Sequence, residues 1–345
     1  MWEGTQEDIM VGIGIIGCGH WGPNYIRNFN EIPDSNVLWC CDIDSSRLES
    51  IKQRFPNIRV TTQYEDILND GYVNAVVVAT PASTHYQITK ACLLSGKHVL
   101  VEKPMTTSVE SAEHLIQIAE ECQKILMVGH IFLFNSGIRK IKSYVSCENF
   151  GQTYYLYSKR TNLGPIRNDV NIIWDLAPHD ISIFEYLLGI KPLWVSATGS
   201  KALKNNNYDI AFITLGYPNG IIANIHVSWI DPNKVREIVV VGSQKRIVFN
   251  DLDNHEIVKV FEKGVSPVGS PNSYGDFTRF AVRDGDIISP KVEAYEPLRE
   301  ECQHFINCIQ GNLSPLTDGQ NGADVVYILE AANKSIEQNG IPILI

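Results

Sequence analysis

The chain has 345 residues, of which 44% are hydrophobic and 20% charged, a composition that excludes disorder as the main state and predicts about two domains. Its 29 Lys and Arg residues face 39 Asp and Glu residues, and the net charge of −10 argues against a nucleic-acid partner. No apolar run approaches the ~20 residues of a membrane span, and the acidic N-terminus does not resemble a signal peptide. These features predict a cytoplasmic protein with no membrane partner.

The eight cysteines form no C-x-x-C pair, and most lie within apolar runs. This distribution favours small buried hydrophobic residues in a reducing compartment over a disulfide framework or a metal site. We therefore expect no metal.

The first 130 residues alternate short apolar runs with amphipathic stretches. Continuous apolar strands between helices indicate a doubly wound parallel sheet covered on both faces, as in a Rossmann domain. The predicted strands are Val11–Ile16, Val37–Cys41, Ala75–Ala79, His98–Val101 and Ile125–Val128. The predicted helices are Trp21–Phe29, Ser45–Arg54, Tyr64–Asn69, Ser83–Leu94 and Ser108–Cys122.

After Gly151 the pattern changes to longer strands with few helices. It predicts an α+β domain with a mostly antiparallel sheet, in which Pro218-Asn219-Gly220 is a hairpin turn. Residues 263–290 are rich in Gly, Pro, Ser and Asp and predict a long surface loop. The predicted domains are 1–130 and 131–345, with a last helix at about 322–338 that packs back on the first domain. The other predicted elements are Thr153–Lys159, Ile173–Leu188, Ile210–Tyr217, Ile221–Trp229, Val235–Val241, Arg246–Phe249, Glu256–Phe261 and Pro297–Ile309.

One predicted strand alternates clearly between two faces. Ile221, Ala223, Ile225, Val227 and Trp229 share one face, and Asn224, His226 and Ser228 share the other. The first face is predicted to lie in the core, and the second to face solvent or a partner subunit.

A G-x-G-x-x-G motif, Gly17 to Gly22, lies between the first predicted strand and the first helix. Its glycines allow a tight turn, close approach of a pyrophosphate and close helix–strand packing, and the helix N-terminus faces the anion. Asp42 follows Gly22 by twenty residues at the end of the second strand, where it can accept hydrogen bonds from the adenosine ribose. Because Asp42 and Asp44 would repel a 2′-phosphate, we expect NAD rather than NADP, although Arg47 is a counter-argument.

Two further strands end in polar residues, Thr80-Pro81 and Glu102-Lys103-Pro104. Ligands of open α/β sheets bind at the carboxyl ends of strands, so both segments are predicted to face the cofactor, with Lys103 near the nicotinamide. Burial there would lower the pKa of Lys103. The complete set of predicted cofactor contacts is Gly17, Gly19, His20, Trp21, Gly22, Asp42, Ile43, Arg47, Thr80, Pro81, His85, Glu102 and Lys103.

Asp175 and His179 are four residues apart and therefore share one face of a predicted helix. A carboxylate beside an imidazole can fix its tautomer and tune it for proton transfer, although such a pair is more often structural. Pro178 suggests that this helix begins near Asp175, since proline is tolerated in a first turn.

The glycine motif, Glu102-Lys103-Pro104 and the Asp175/His179 pair, in this order and spacing, resemble the glucose-fructose oxidoreductase / inositol dehydrogenase family (Gfo/Idh/MocA). The resemblance covers nearly the whole chain. It implies NAD or NADP held between a Rossmann domain and an open-faced sheet domain, homodimers or homotetramers, and catalytic roles for Lys103, Asp175 and His179. The segments Gly19 to Asn24 and Trp174 to Asp180 are similar to the motifs of one branch of this family, which oxidises or reduces nucleotide-linked sugars at C3.

Arginines beside the predicted active helix support that branch. Arg160 and Arg167 lie with Asn162 between strand and helix, and an arginine fork suits a diphosphate. The alternative is a surface loop of Arg/Asp ion pairs. The predicted substrate contacts are Lys103, Arg160, Asn162, Arg167, Asp175 and His179.

The sequence thus predicts an NAD-dependent oxidoreductase that transfers a hydride between nicotinamide and a secondary hydroxyl of a sugar. Three alternatives stay open: a free-polyol dehydrogenase, an NAD-dependent glycosidase, and a catalytically silent sugar sensor. Fold alone does not separate them.

Overall fold

The computed structural model describes residues 10–164, 166–167, 169–203, 207–268 and 279–345. These residues form two compact units. Unit 1 comprises the described residues up to Phe134 together with Tyr295–Tyr327, and unit 2 comprises those of Asn135–Ala294 and Ile328–Ile345. The first crossing between the units lies close to the predicted boundary at 130/131. The chain then returns to unit 1 over residues 295–327, whereas the prediction expected such a return only for a last helix at about 322–338. Within the described residues, no helix is both long and apolar enough to cross a membrane.

Unit 1 is built on a six-stranded parallel sheet, as its continuous apolar runs predicted. The strand order is β3-β2-β1-β4-β5-β6, the order of dinucleotide-binding Rossmann domains. Every residue of β1 and β4 is buried, since helices cover both faces. The strands are β1 (Val11–Ile16), β2 (Ser35–Cys41), β3 (Arg59–Thr61), β4 (Ala75–Val78), β5 (His98–Glu102) and β6 (Leu126–Gly129).

Two helices of unit 1 begin where a side chain caps them. Asp44 accepts a hydrogen bond from the Ser46 N–H, and Ser108 accepts one from the Ser111 N–H, which satisfies backbone donors at each helix start. The helices are α1 (Gly22–Glu31), α2 (Ser45–Arg54), α3 (Glu65–Asn69), α4 (Ala82–Leu94), α5 (Val109–Glu121), α8 (Pro297–Gly311) and α9 (Gly319–Glu337). Helix α8 packs against α1, and α9 runs from unit 1 into unit 2 at residue 327.

Unit 2 is built on a nine-stranded sheet of order β16-β13-β12-β11-β7-β10-β9-β8-β17. Its pairings are antiparallel except for the parallel pair of β7 and β10. The strands include β7 (Thr153–Leu163), β8 (Trp194–Ser200), β9 (Ile210–Gly216), β10 (Ile222–Ser228), β11 (Ile230–Gly242), β12 (Arg246–Asn250), β13 (Val258–Phe261) and β17 (Ile343–Leu344). Helices α6 (Ser136–Val145) and α7 (Ile172–Leu188) pack on this sheet. Helix α6 and strand β8 were not predicted from the sequence.

Residues 263–290 were predicted to form one long surface loop, but the described part of this segment contains three strands. Strands β14 (Gly264–Val268) and β15 (Arg279–Arg283) pair with each other, and β16 (Ile287–Ile288) joins the main sheet at β13. Residues 269–278 lie outside the described residues. The prediction failed because strand pairing is a long-range interaction that can override a composition rich in Gly, Pro and Ser.

Helix α7 begins at Ile172, three residues earlier than Pro178 suggested. The Asn171 side chain accepts hydrogen bonds from the backbone N–H groups of Ile173 and Trp174, and this cap fixes the start. Pro178 consequently lies inside the helix, where its missing N–H removes one intrahelical bond.

The two predicted faces of the hairpin strand are confirmed except at one residue. Ala223, Ile225 and Val227 have no exposed side-chain surface. On the other face, His226 stacks on Phe212 with ring centroids 4.3 Å apart. Ser228 was predicted on that wetter face but is buried.

Candidate functional site

The glycine motif forms a turn between β1 and α1, and each of its glycines has different surroundings that disfavour a side chain or leave space for a ligand. Gly17 has φ +100°, and a Cβ there would lie 2.5 Å from the Ala79 carbonyl oxygen. A Cβ on Gly22 would lie 2.2 Å from the Gly17 oxygen, whereas one on Gly19 would approach only Arg47 Nη1, at 3.6 Å. The turn is thus packed on its inner side and open at Gly19, which fits a pyrophosphate against the backbone.

This difference predicts opposite outcomes for two alanine variants. Gly19→Ala should fold with wild-type stability but bind NAD about tenfold or more weakly, because its methyl group occupies the space of the pyrophosphate. Gly22→Ala should lose about 1–3 kcal/mol of stability through overpacking. Urea unfolding and NAD titration of both variants measure this, and unchanged NAD affinity of Gly19→Ala would contradict the assignment.

Asp42 lies at the carboxyl end of β2 and is buried. Its Oδ2 accepts the Cys18 N–H at 2.7 Å, within the glycine turn, and its Oδ1 accepts the Asp44 N–H at 2.9 Å. Arg47 lies 3.4 Å from Asp42 Oδ2 and 3.5 Å from Asp44 Oδ2. The neighbouring Ile43 side chain is 92% exposed, which leaves an apolar surface beside the carboxylate where an adenine ring can pack.

His85, on α4, connects two strand-end loops. Its Nε2 lies 2.8 Å from the Thr80 carbonyl oxygen and its Nδ1 lies 2.8 Å from that of Pro104, and the side chain is 1% exposed. A buried ring with both nitrogens at backbone carbonyls supports these loops. We therefore propose that His85 positions Thr80 and the loop after Lys103, in place of the predicted contact with the cofactor.

The carboxyl ends of β5 and β6 carry further polar residues of the unit 1 site. Glu102 ends β5 and is buried, and Lys103, directly after it, is half-buried. His130 follows β6, the neighbour of β5, and is buried. Burial, with the charge of Lys103 second, lowers the pKa of His130 to about 3, so this imidazole is neutral at working pH.

Neither ring nitrogen of His130 has a hydrogen-bond partner within the described part of the chain. An orphaned buried imidazole at this sheet edge is consistent with a polar ligand there. Together with the open backbone at Gly19 and the exposed Ile43, it indicates that the residues present fit a dinucleotide. Sequence reasoning missed His130, although its position directly after a strand was a usable signal.

In unit 2, Asp175 and His179 lie on one face of α7, as their spacing predicted. Asp175 Oδ1 accepts from Arg167 Nη1 at 3.2 Å, and Oδ2 accepts from the Trp229 indole N–H at 3.0 Å. Trp229 was predicted only as a core residue, and its indole is an additional partner of this carboxylate. The orientation of His179 by Asp175 stays a prediction.

The two arginines are both engaged by carboxylates. Arg160 Nε and Nη2 donate to Asp180 at 2.9 and 3.1 Å, in a pair whose side chains are 7% and 1% exposed. Because this pair is buried and bidentate, we propose a structural role for Arg160 in place of the predicted contact with substrate. Arg167 donates to Asp169 as well as to Asp175, and its side chain is 34% exposed. Asn162, near the end of β7, is half-buried.

Within the residues that the structure describes, no group of three or more His, Cys, Asp or Glu side chains could hold a metal ion. The candidate sites are the polar residues at the strand ends of unit 1 and those around α7 in unit 2. The strand order and glycine turn of unit 1 define a Rossmann-type dinucleotide site.

Comparison with known proteins gives the family. Residues 11–130 match the model of an oxidoreductase family with an NAD-binding Rossmann fold, and residues 139–248 match the GFO/IDH/MocA C-terminal domain. The chain belongs to the GFO/IDH/MocA oxidoreductase family, which confirms the resemblance of its motifs. NAD is therefore its cofactor class.

Two curated relatives span nearly the whole chain. A UDP-N-acetylglucosamine 3-dehydrogenase of Acidithiobacillus ferrooxidans is 27% identical over 92% of this chain and 95% of its own. A myo-inositol 2-dehydrogenase of Thermotoga maritima is 25% identical over 94% and 96%, respectively.

Solved structures agree in fold. The Acidithiobacillus UDP-N-acetylglucosamine 3-dehydrogenase superposes with a TM-score of 0.79 at 25% identity, over 95% of this chain and 97% of its own. The gentamicin A biosynthesis protein GenD2, solved with NAD, superposes with a TM-score of 0.82 at 21% identity, over 98% and 97%. At that identity the second likeness shows the fold alone.

Proposed function

We propose that this protein is an NAD-dependent dehydrogenase or reductase that acts on a secondary hydroxyl, at C3, of a nucleotide-linked sugar. The observation that carries the proposal is the presence of Lys103 at the end of β5 and of the Asp175/His179 pair on α7. Similarity to a UDP-N-acetylglucosamine 3-dehydrogenase along 92% of the chain supports the substrate class. The three retained groups weigh against a catalytically silent sensor.

In this reaction Lys103 and His179 are the acid–base groups that accept the proton of the substrate hydroxyl, or return it in the reverse direction. When bound, NAD supplies a hydride acceptor, and in the reverse direction NADH supplies the hydride. The hydroxyl proton becomes acidic only as the carbonyl forms, so a base must lie within hydrogen-bond reach of that oxygen. Asp175, held by Arg167 and Trp229, orients His179 from the preceding helical turn.

A free polyol of the inositol type is the second candidate. A specific observation favours it: Arg160 and Arg167 both pair with carboxylates of unit 2, and Arg167 with Asp169 and Asp175 carries a net charge of −1. Such a cluster attracts a diphosphate less than two unpaired arginines would. The relative that is a myo-inositol 2-dehydrogenase supports the same alternative.

A substrate panel separates the two candidates. Purified protein with NAD is mixed with UDP-, dTDP- and GDP-sugars and with free polyols, and the near-ultraviolet absorbance of NADH is followed. We expect turnover of a nucleotide-linked sugar. Arg167→Ala should then raise KM about ten- to hundredfold, through loss of a charge-assisted contact, and change kcat less. Turnover of polyols alone, or an unchanged KM in Arg167→Ala, would remove the diphosphate assignment.

NAD should bind more tightly than NADP, by about tenfold or more, because a 2′-phosphate would lie beside the buried Asp42 carboxylate. Arg47 offers little compensation, since it already pairs with Asp42 and Asp44. Asp42→Ser should narrow the ratio of the two dissociation constants, and exposed Glu49→Gln on α2 is the matched control. A wild-type Kd for NADP at or below that for NAD would contradict this.

We also propose a homodimer or homotetramer, with a second copy on the open face of the unit 2 sheet. Tyr155, Phe212 and Ile222 lie on β7, β9 and β10 and are 45%, 46% and 39% exposed, which is unusual for large apolar side chains of an unpartnered sheet face. Light scattering should give a multiple of the 38.7 kDa chain mass, and Phe212→Asp should lower it. A cytoplasmic location belongs to the same proposal and is supported by eight free cysteines.

A further inference from the structure

In unit 1, the hydroxyl of a buried tyrosine lies within hydrogen-bond distance of two buried carboxyl groups, one of which belongs to the residue before Lys103. The Tyr25 hydroxyl, on α1, lies 2.9 Å from Glu102 Oε1 and 3.3 Å from Glu301 Oε2, on α8. The side chains of Tyr25, Glu102 and Glu301 are 0%, 8% and 0% exposed. Gly129 leaves room for the group, because a Cβ there would lie 3.3 Å from the Tyr25 hydroxyl and 3.4 Å from Glu102 Cδ.

The hydrogen atoms of this cluster can be counted. A phenol has one hydrogen to donate, whereas two ionised carboxylates offer only acceptors. If both acids were ionised, one of the two contacts of the Tyr25 hydroxyl would bring oxygen lone pairs together with no hydrogen atom between them. A second proton removes this repulsion, and it makes a directed chain in which one carboxylic acid donates to Tyr25 and Tyr25 donates to the other carboxylate.

The surroundings decide which acid holds this proton. Glu102 Oε2 accepts the backbone N–H of Lys103 at 3.1 Å, a bond that favours the ionised form. Glu301 is fully buried, and burial, followed by the charge of Glu102, raises its pKa well above the usual range. Burial and the same two acids raise the pKa of Tyr25, so it remains a phenol. The Cys302 thiol on α8 also faces the cluster, and burial raises its pKa. Lys103 directly follows Glu102 in the chain.

We propose that Tyr25 and Glu301 are positioning residues that hold one negative charge on Glu102, and that this charge makes the dinucleotide site favour NAD⁺ over NADH. Glu102 directly precedes Lys103 at the strand end that we assign to the nicotinamide, so this inference rests on the proposed function. The oxidised ring carries a positive charge and the reduced ring carries none. A fixed anion nearby therefore stabilises the oxidised form selectively.

The test compares the dissociation constants of NAD⁺ and NADH, measured by calorimetry and by NADH fluorescence. Glu102→Gln should raise the ratio Kd(NAD⁺)/Kd(NADH) by about tenfold, as expected for removal of one charge in a site of low effective dielectric. Glu301→Gln should leave the ratio within about twofold, because its neutral amide can donate to Tyr25 as the neutral acid does. Tyr25→Phe should raise the ratio, since Glu102 loses its donor. Exposed Glu121→Gln on α5 is the charge control.

Two results of this comparison would overturn the proposal: an unchanged ratio in Glu102→Gln, or a rise in Glu301→Gln as large as that in Glu102→Gln. Failure of the proposed function looks different, because the wild-type protein would then bind NAD⁺ and NADH yet turn over no sugar or polyol.

A readout without cofactor guards against variants that fold poorly. The raised pKa of Glu301 means that its contribution to stability is fully present below the ordinary value of 4.5 and is lost as the pH rises toward the folded-state pKa. The free energy of unfolding of the wild type should therefore decline with pH in this window more steeply than that of Glu301→Gln. Infrared spectra should show a protonated carboxyl group that Glu301→Gln removes. Equal pH dependence with no such band would place the proton elsewhere and overturn the proposal.

Discussion

Replacement of Lys103 by Met, or of His179 by Ala, should each lower kcat by about a hundredfold to ten-thousandfold, the usual contribution of general acid–base catalysis. Met keeps the length of the lysine side chain but removes its ammonium group, and Ala removes the imidazole from α7. NAD affinity should change little in His179→Ala, because this residue belongs to unit 2 and the glycine turn belongs to unit 1. Steady-state kinetics and NAD titration on the same preparations measure both effects.

Two variants control for the loss of a lysine or a histidine as such. Lys124→Met changes a lysine before β6, at the amino ends of the strands, and His226→Ala changes a histidine on the open sheet face. Both should keep near wild-type kcat. A His179→Ala enzyme with a third or more of the wild-type kcat would make His179 structural and leave proton transfer to Lys103.

Arg160→Ala should destabilise the protein by about 3–5 kcal/mol, because it leaves Asp180 as a buried charge without its bidentate partner. The pair joins β7 to α7 with both side chains nearly inaccessible to solvent. Urea unfolding followed by circular dichroism measures the loss. If the variant is folded at working temperature, its KM for the true substrate should stay near the wild-type value, since the Arg160 guanidinium is buried and paired with Asp180.

The control for this prediction is Arg167→Ala. Its partners are partly exposed, and the loss in stability should be about 1 kcal/mol or less because solvent screens such pairs. The double variant Arg160→Met/Asp180→Leu should recover much of the stability, since well-packed apolar residues can replace a buried ion pair. A loss below about 1 kcal/mol in Arg160→Ala would contradict the buried-pair assignment.

Much of unit 1 could be predicted because its signals are local. Strand β1 and helix α2 have the predicted bounds, and the other predicted elements of unit 1 differ by a few residues at their ends. A fully apolar strand, a glycine turn and a capped helix each lie within a few consecutive residues. The three-residue strand β3 was missed because so short a segment carries little pattern.

Positions within a motif could be predicted from the sequence, whereas hydrogen-bond partners from distant segments of the chain could not. The positions of Gly17, Gly22 and Asp42 followed from spacing alone, and their geometry agrees with it. Arg160 was predicted to contact substrate because a sequence does not show that Asp180 lies within hydrogen-bond distance of it. The partners of His85, which are the backbone carbonyls of two loops, are equally invisible in the sequence.

By itself, the sequence determined the parallel sheet of unit 1, the glycine turn and the common helix face of Asp175 and His179, because periodicity and spacing encode each of them over short distances. Only the tertiary structure decided the parallel pairing of β7 with β10, the place of α8 in unit 1 and the contact of Tyr25 with Glu301. These features join segments that are far apart in the chain. Burial then fixes which polar groups pair and which acid keeps its proton, and burial is a property of the packed molecule.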